Sequence, residues 1–221
     1  MLKLIIGNKK YSSWSFRPWL LMKVMEIPFK EVRIAIHRPD SLKKILHYTP
    51  AGRVPVLIDG RVKVWESMAI GHYLAEKFPK KFLWPKDPVA RAVAYSVAHE
   101  MHAGFQGMRQ ALPCHFLVRY HGFSVPSSAQ ADIDRVESLW TDCRKKWGKG
   151  GPFLFGNFSV ADAMYAPVVY RWLAYGVVPN RVCRDYMSAI ESLPASREWV
   201  GAARHEKEVI SDYENKGKIA R

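Results

Sequence analysis

Glu66 and Ser67 are the residues of this chain best placed to do chemistry. They open a helix, because the stretch that follows, SMAIGHYLAEKF, carries apolar residues at helical spacing. A helix start presents unpaired backbone N–H groups and the positive end of the helix dipole, which together attract an anion. Just ahead lies GRVPVLIDGRVKVW, residues 52–65. Residues 54–58 read as a short buried strand, Asp59-Gly60 as a two-residue hairpin turn, and residues 61–65 as the returning strand. Pro55 stands at the strand start, where it cannot donate a ladder hydrogen bond and where a cis bond to Val54 fits. Such a bond turns the N–H and C=O of Val54 out of the sheet, free to pair with an extended peptide. An exposed peptide edge beside an anion site suits a small peptide carrying a carboxylate.

The elements that must position these groups follow from the rest of the first 80 residues. Residues 2–6 are apolar enough for a central strand covered on both faces. A polar loop leads to Ser12-Ser13-Trp14-Ser15, which precedes a helix expected over 16–27, with Pro18 in its first turn. Residues 29–36 alternate as a second strand, so the β-α-β crossover is right-handed. A short helix over 41–47 and the turn Thr49-Pro50-Ala51-Gly52 lead into the hairpin. The order β-α-β-α-β-β-α, with proline starting the third strand, is thioredoxin-like. Residues 1–79 form this α/β domain, residues 80–88 (KKFLWPKDP) a linker, and residues 89–221 an all-α domain. Helices are expected over 90–112, 127–147, 159–175, 184–193 and 195–208, with no strand. Ser159 and Asp162 have the spacing of a capping box, a folding signal with no catalytic role.

Composition narrows the function. At 221 residues with 48% hydrophobic side chains, the chain has ample material for a core. No apolar run approaches the roughly 20 residues that span a bilayer, so no membrane association is expected. Cys114, Cys143 and Cys183 lie far apart with no metal spacing, which reads as reduced thiols in a cytoplasmic protein. His99, Glu100 and His102 look like ligands, but no second cluster completes a metal site, so none is expected. The net charge of +14 is scattered rather than clustered, and no groove-reading helix or stacking motif accompanies it. Nucleic acid is therefore not the expected partner. A basic surface attracts small anions equally well.

VPVL followed by Glu66-Ser67, SSWSFRPWL at the first helix, and FSVADAMYAP in the second domain occur in an order and spacing that resemble the cytosolic glutathione transferases, of a bacterial zeta- or theta-like serine type. The resemblance covers nearly the whole chain. It implies the glutathione transferase fold, glutathione as co-substrate or catalyst, a homodimer, and a small apolar electrophile bound between the domains. It assigns Val54, before Pro55, to the cysteinyl backbone of glutathione, and Glu66 and Ser67 to its γ-glutamyl amino and carboxylate groups. Only a thiolate is a good nucleophile, and a free thiol has a pKa of about 8.5. A hydroxyl donating to the sulfur lowers that value. The zeta-like motif makes Ser12 this hydroxyl, counting back from Arg17 makes it Ser13, and Tyr11 is a third candidate by analogy with tyrosine-dependent classes.

One departure matters. Trp14 stands where zeta-class relatives often carry a cysteine, which argues against disulfide exchange and makes Trp14 a wall of the electrophile pocket. Phe105 and Met108, on the first long helix of the second domain, are the other expected pocket walls, and Glu100 is a guess for a contact to the partner subunit's glutathione. Two rival readings are a glutathione-dependent cis-trans isomerase, similar to maleylacetoacetate isomerase, and a non-enzymatic interaction module on the same fold.

Overall fold

In the computed structural model residues 1–214 are described, with the backbone of Lys218–Ile219; the end of the second domain, placed at 221, lies outside the described residues. Strands β1 (Leu2–Ile6), β2 (Phe29–Arg33), β3 (Val56–Asp59) and β4 (Val62–Trp65) form one sheet in the order β2-β1-β3-β4. β1 runs parallel to β2, with Leu2 opposite Phe29, and antiparallel to β3, with Ile5 opposite Val56. The β3–β4 hairpin turns at Gly60-Arg61, between the paired Asp59 and Val62 and one residue past the expected Asp59-Gly60, with Gly60 taking the positive φ (58°) at the first turn position. Alternation along β1 sends Leu2, Leu4 and Ile6 into the main core and Ile5 into a smaller cluster with Ile34, Ile45 and Val56. Helices α1 (Ser13–Val24) and α3 (Ser67–Lys77) contribute to the main core, and α2 (Ser41–Leu46) contributes Ile45 to the smaller one.

After a 3₁₀ turn at Pro79–Lys81 the chain becomes helical: α4 (Pro88–Ala103), α5 (Gln106–Ala111), α6 (Ser127–Trp147), α7 (Val160–Tyr175), α8 (Arg181–Ser192), α9 (Pro194–Arg204) and the short α10 (Ser211–Glu214). The fold is thus a thioredoxin-like domain joined to a helical one. Every residue of α7 except Leu173 is buried, as expected of a helix apolar all round. It packs on both α1 and α4, and so joins the two parts of the molecule. Its start is fixed by Asp162, whose carboxylate accepts the N–H of Ser159 (2.8 Å), the Ser159 hydroxyl (2.9 Å) and the N–H of Leu154 (2.9 Å). Burial pushes the Asp162 carboxyl up to about 6, against the pull of these donors.

Three further expectations are corrected. Helix α1 begins at Ser13, not at 16, because the Ser12 side chain accepts the N–H of Ser15 (3.3 Å) and caps it. Pro18 therefore sits past the first turn, where it has no N–H to return to Trp14. The single helix expected over 90–112 is two helices, broken at Gly104 and Phe105. Phe105 adopts φ 62°, and the Arg109 side chain bonds the carbonyls of Gly104 (2.9 Å) and Met101, taking over the end of α4. Finally, the second half is not free of strand: β5 (Tyr120–His121) pairs with β6 (Lys218–Ile219). Among the described residues no helix is long and apolar enough to cross a membrane.

Candidate functional site

Between the thioredoxin-like domain and α4 lies a cavity of about 260 Å³. Its floor is the loop before β3, with Ala51, Arg53, Val54 and Pro55. The Val54–Pro55 bond is cis, and strand pairing begins only at Val56, so Val54 lies outside the ladder. One wall is Trp65 and Glu66 at the end of β4. Glu66 is a non-glycine residue at φ 74°, ψ 128°, a backbone state that costs of order 1–3 kcal/mol and persists where the surroundings demand it. The next residue, Ser67, starts α3 with its hydroxyl buried and, among the described residues, without a hydrogen-bond partner. The opposite wall is Trp14 from α1 and His102 from α4, whose rings meet edge to face at 5.4 Å.

His102 lies 3.4 Å from the Glu66 carboxylate through Nε2. Burial, aided by the charge of Arg17, pushes its imidazole below the ordinary value, and Glu66 opposes this only in part. Burial thus disfavours the imidazolium form beside Glu66. The backbone ahead of β3, an acidic side chain at the start of α3 and an aromatic wall line one small volume, and the buried Ser67 adjoins it through Glu66. Such a site can hold a zwitterionic peptide and bring an apolar group against it.

The chain is similar to known proteins over most of its length. A family model, "Glutathione S-transferase, N-terminal domain", matches residues 11–77. Glutathione S-transferase Z2 of Arabidopsis thaliana is 31% identical over 200 residues, covering 85% of this chain and 87% of that protein. The chain belongs to the glutathione S-transferase family. A probable maleylacetoacetate isomerase of Caenorhabditis elegans is 29% identical over 161 residues, 72% of either chain. The fold of this transferase-family chain matches that of a glutathione transferase homolog from Burkholderia gl BGR1, solved with bound glutathione. That match has a TM-score of 0.70, at 19% identity, over 93% of this chain and 99% of the other.

Of the site residues expected from sequence, Trp14, Val54, Pro55 and Glu66 line the cavity, and Ser67 adjoins it through Glu66. Ser12 and Ser13 are both buried and neither lines it. The Ser12 hydroxyl donates to Ser15 Oγ (2.8 Å), whereas that of Ser13 has no partner among the described residues. The Tyr11 hydroxyl is turned to the C-terminal segment, bonded to Glu214 and accepting the N–H of Ile210 (3.4 Å), and burial raises its pKa. Phe105 and Met108 are core side chains, with Phe105 against Tyr165, and neither faces this cavity. Glu100 is held by Arg135 on α6 (2.8 Å).

His102 and Arg53 are the site residues that sequence reasoning missed. His102 was read as a polar helix residue, and nothing in its local pattern separates it from the exposed His99. Among the described residues no cluster of His, Cys, Asp or Glu could hold a metal ion.

Proposed function

We propose that this chain is a glutathione transferase that binds glutathione in this cavity and activates its thiol for attack on, or addition to, an apolar electrophile. The unpartnered Ser67 hydroxyl, buried at the start of an eleven-residue helix beside Glu66, is the observation that carries the reading, because a buried hydroxyl without a partner is a cost that a ligand removes. The γ-glutamyl carboxylate takes the Ser67 hydroxyl and the N-terminus of α3, and its ammonium takes Glu66. The cysteinyl backbone pairs with Val54 ahead of Pro55. This places the sulfur toward the N-terminus of α1. Ser13 is the better thiolate partner, because its hydroxyl is free while the proton of Ser12 is committed to Ser15. The electrophile lies against Trp14 and His102. Positioning of the two reactants and stabilisation of the thiolate supply the rate enhancement.

An ultraviolet pH titration of bound glutathione tests this. The thiol is expected to titrate at least one unit below the free value of about 8.5, and absence of binding overturns the reading. Ser13→Ala should return the bound thiol toward the free value. Ser12→Ala should leave it in place and instead cost about 1 kcal/mol of stability through loss of the α1 cap. The similarity to a maleylacetoacetate isomerase favours a second reading, glutathione as a catalyst that is not consumed. Following glutathione during turnover separates the two.

The domain limits 1–79, 80–88 and 89–221, a cytoplasmic location and a homodimer belong to the same proposal. The dimer is supported by a shallow groove that includes Trp84 and Tyr95 and leaves Phe82 more than half exposed. Sedimentation should give the mass of two 25.4 kDa chains, and a monomer at micromolar concentration would remove this part.

A further inference from the structure

The turn that leads into α1 belongs to the first domain by sequence and to the second by its bonds. Within the turn, the Asn8 carbonyl accepts the N–H groups of Tyr11 (3.3 Å) and Ser12 (2.8 Å). That leaves the N–H and C=O groups of Lys9 and Lys10 without a partner inside the turn. Each finds one in the helical domain. Lys9 N–H donates to Glu206 Oε1 (2.7 Å) and Lys10 N–H to Glu206 Oε2 (3.0 Å). The Lys9 carbonyl accepts the indole N–H of Trp199 on α9 (2.9 Å), and the Lys10 carbonyl accepts the N–H of Phe116 (3.1 Å).

Glu206 lies just beyond the end of α9, 197 residues from Lys9 along the chain. Two successive backbone N–H groups make a small concave anion site. A carboxylate fills it with one oxygen on each, in bonds strengthened by its charge. The Glu206 side chain is 6% exposed, so water competes little for these bonds. Arg33 of β2 also meets this carboxylate (3.5 Å). The segment that follows closes over the same turn. The Lys10 ammonium donates to the Glu208 carbonyl (3.2 Å), and the Tyr11 hydroxyl is bonded to Glu214 and Ile210. First-domain partners of the turn side chains are the Ile36 N–H, accepted by Asn8 (2.8 Å), and Glu31, paired with the Lys9 ammonium (2.8 Å).

Ser12 and Ser13 follow the turn directly. The Ser13 N–H donates to the Tyr11 carbonyl (2.9 Å), so the seat of the turn sets where Ser13 starts α1. A functional side chain must be held within about 0.5 Å of its productive position. A misplacement of about 1 Å can cost about a hundredfold in rate. The first domain supplies the serine, but the groups that fix its approach come from residues 116, 199 and 206.

We propose that Glu206 is a positioning residue for the glutathione thiolate: its two-oxygen hold on the turn aims the Ser13 hydroxyl and couples thiol activation to the docking of the segment after α9. The inference rests on the transferase reading, with Ser13 as the thiolate partner. Glu206 does not line the cavity and acts through the backbone of Lys9 and Lys10.

Glu206→Gln keeps the shape of the side chain and one acceptor oxygen, but turns an NH2 group toward the second N–H. The thiol of glutathione bound to the full-length variant is titrated by its ultraviolet thiolate absorbance. Its pKa is expected to lie at least about half a unit above that in the unaltered protein, toward the free value of about 8.5. Glutathione affinity should change less than about threefold, because Val54, Glu66 and Ser67 are untouched. Arg33→Gln removes the ion pair to the same carboxylate but leaves both N–H bonds, and should leave the thiol where it was. A thiol pKa unchanged in Glu206→Gln, or raised equally in both variants, overturns the proposal and leaves the transferase reading standing. Failure of the unaltered protein to bind glutathione, or to lower its thiol pKa, removes both. A second measurement needs no variant to fold. In the unaltered, ligand-free protein the amides of Lys9 and Lys10 should exchange with deuterium at least about a hundredfold more slowly than those of an open chain. Exchange at the open-chain rate would show that the hold does not exist in solution, and overturns the proposal by itself.

Discussion

Ser67→Ala is expected to weaken glutathione binding ten- to a hundredfold while leaving the ligand-free protein as stable as before, or up to about 1 kcal/mol more stable. Two different states of one hydroxyl give the two signs. Without ligand, Ser67 Oγ is buried and makes no hydrogen bond among the described residues, so replacing it by a methyl group removes an unsatisfied polar atom and little else. With glutathione, the hydroxyl would donate to a carboxylate, a charge-assisted bond worth about 1.5–3 kcal/mol, and each 1.4 kcal/mol is about tenfold in affinity. Calorimetry and urea unfolding read the two quantities independently. Unchanged affinity would remove Ser67 from the site. A loss of stability would mean that the hydroxyl does structural work within the protein.

Asp162→Ala is expected to destabilise the protein by about 3–5 kcal/mol, the largest effect of any single polar substitution considered. The carboxylate serves three donors at once, two of them backbone N–H groups of the buried residues Leu154 and Ser159. Truncation leaves all three without an acceptor, at about 1–3 kcal/mol for each buried unsatisfied group, partly relieved by water. The loss falls on α7, the helix that packs on α1 and α4 alike. It is therefore expected to reach the site indirectly, by loosening the element that seats the end of α1 carrying Trp14. A urea midpoint lowered at constant m value is the expected signature. A shift below 1 kcal/mol would show that the loop at 153–158 finds other acceptors. Glutathione affinity, measured well below the new midpoint, should change far less than in Ser67→Ala.

Much of this molecule was legible in the amino-acid sequence because the signals were local. The apolar run of β1, covered on both faces, Pro55 ahead of a strand and the Ser159–Asp162 spacing each act within a few residues, and each stands in the structure as read. The same locality holds for Val54, Glu66 and Ser67, which lie within fourteen residues of one another at a strand-to-helix junction. The break between α4 and α5 was not legible, because the group that ends α4 is the side chain of Arg109, reaching back across Phe105 to the carbonyls of Gly104 and Met101.

Nor could sequence separate Ser12 from Ser13 as the proposed thiolate partner, since what distinguishes them is the contact of the Ser12 hydroxyl with Ser15. His102 on α4 and Glu206 beyond α9 meet Trp14 and the turn before α1 only when the second domain packs on the first. Which of these groups meet is a property of that packing. The backbone proposed to cradle the peptide thus lies in one continuous stretch of chain. The far end of the site, where the second substrate would lie, exists only where side chains distant in sequence are brought against Trp14.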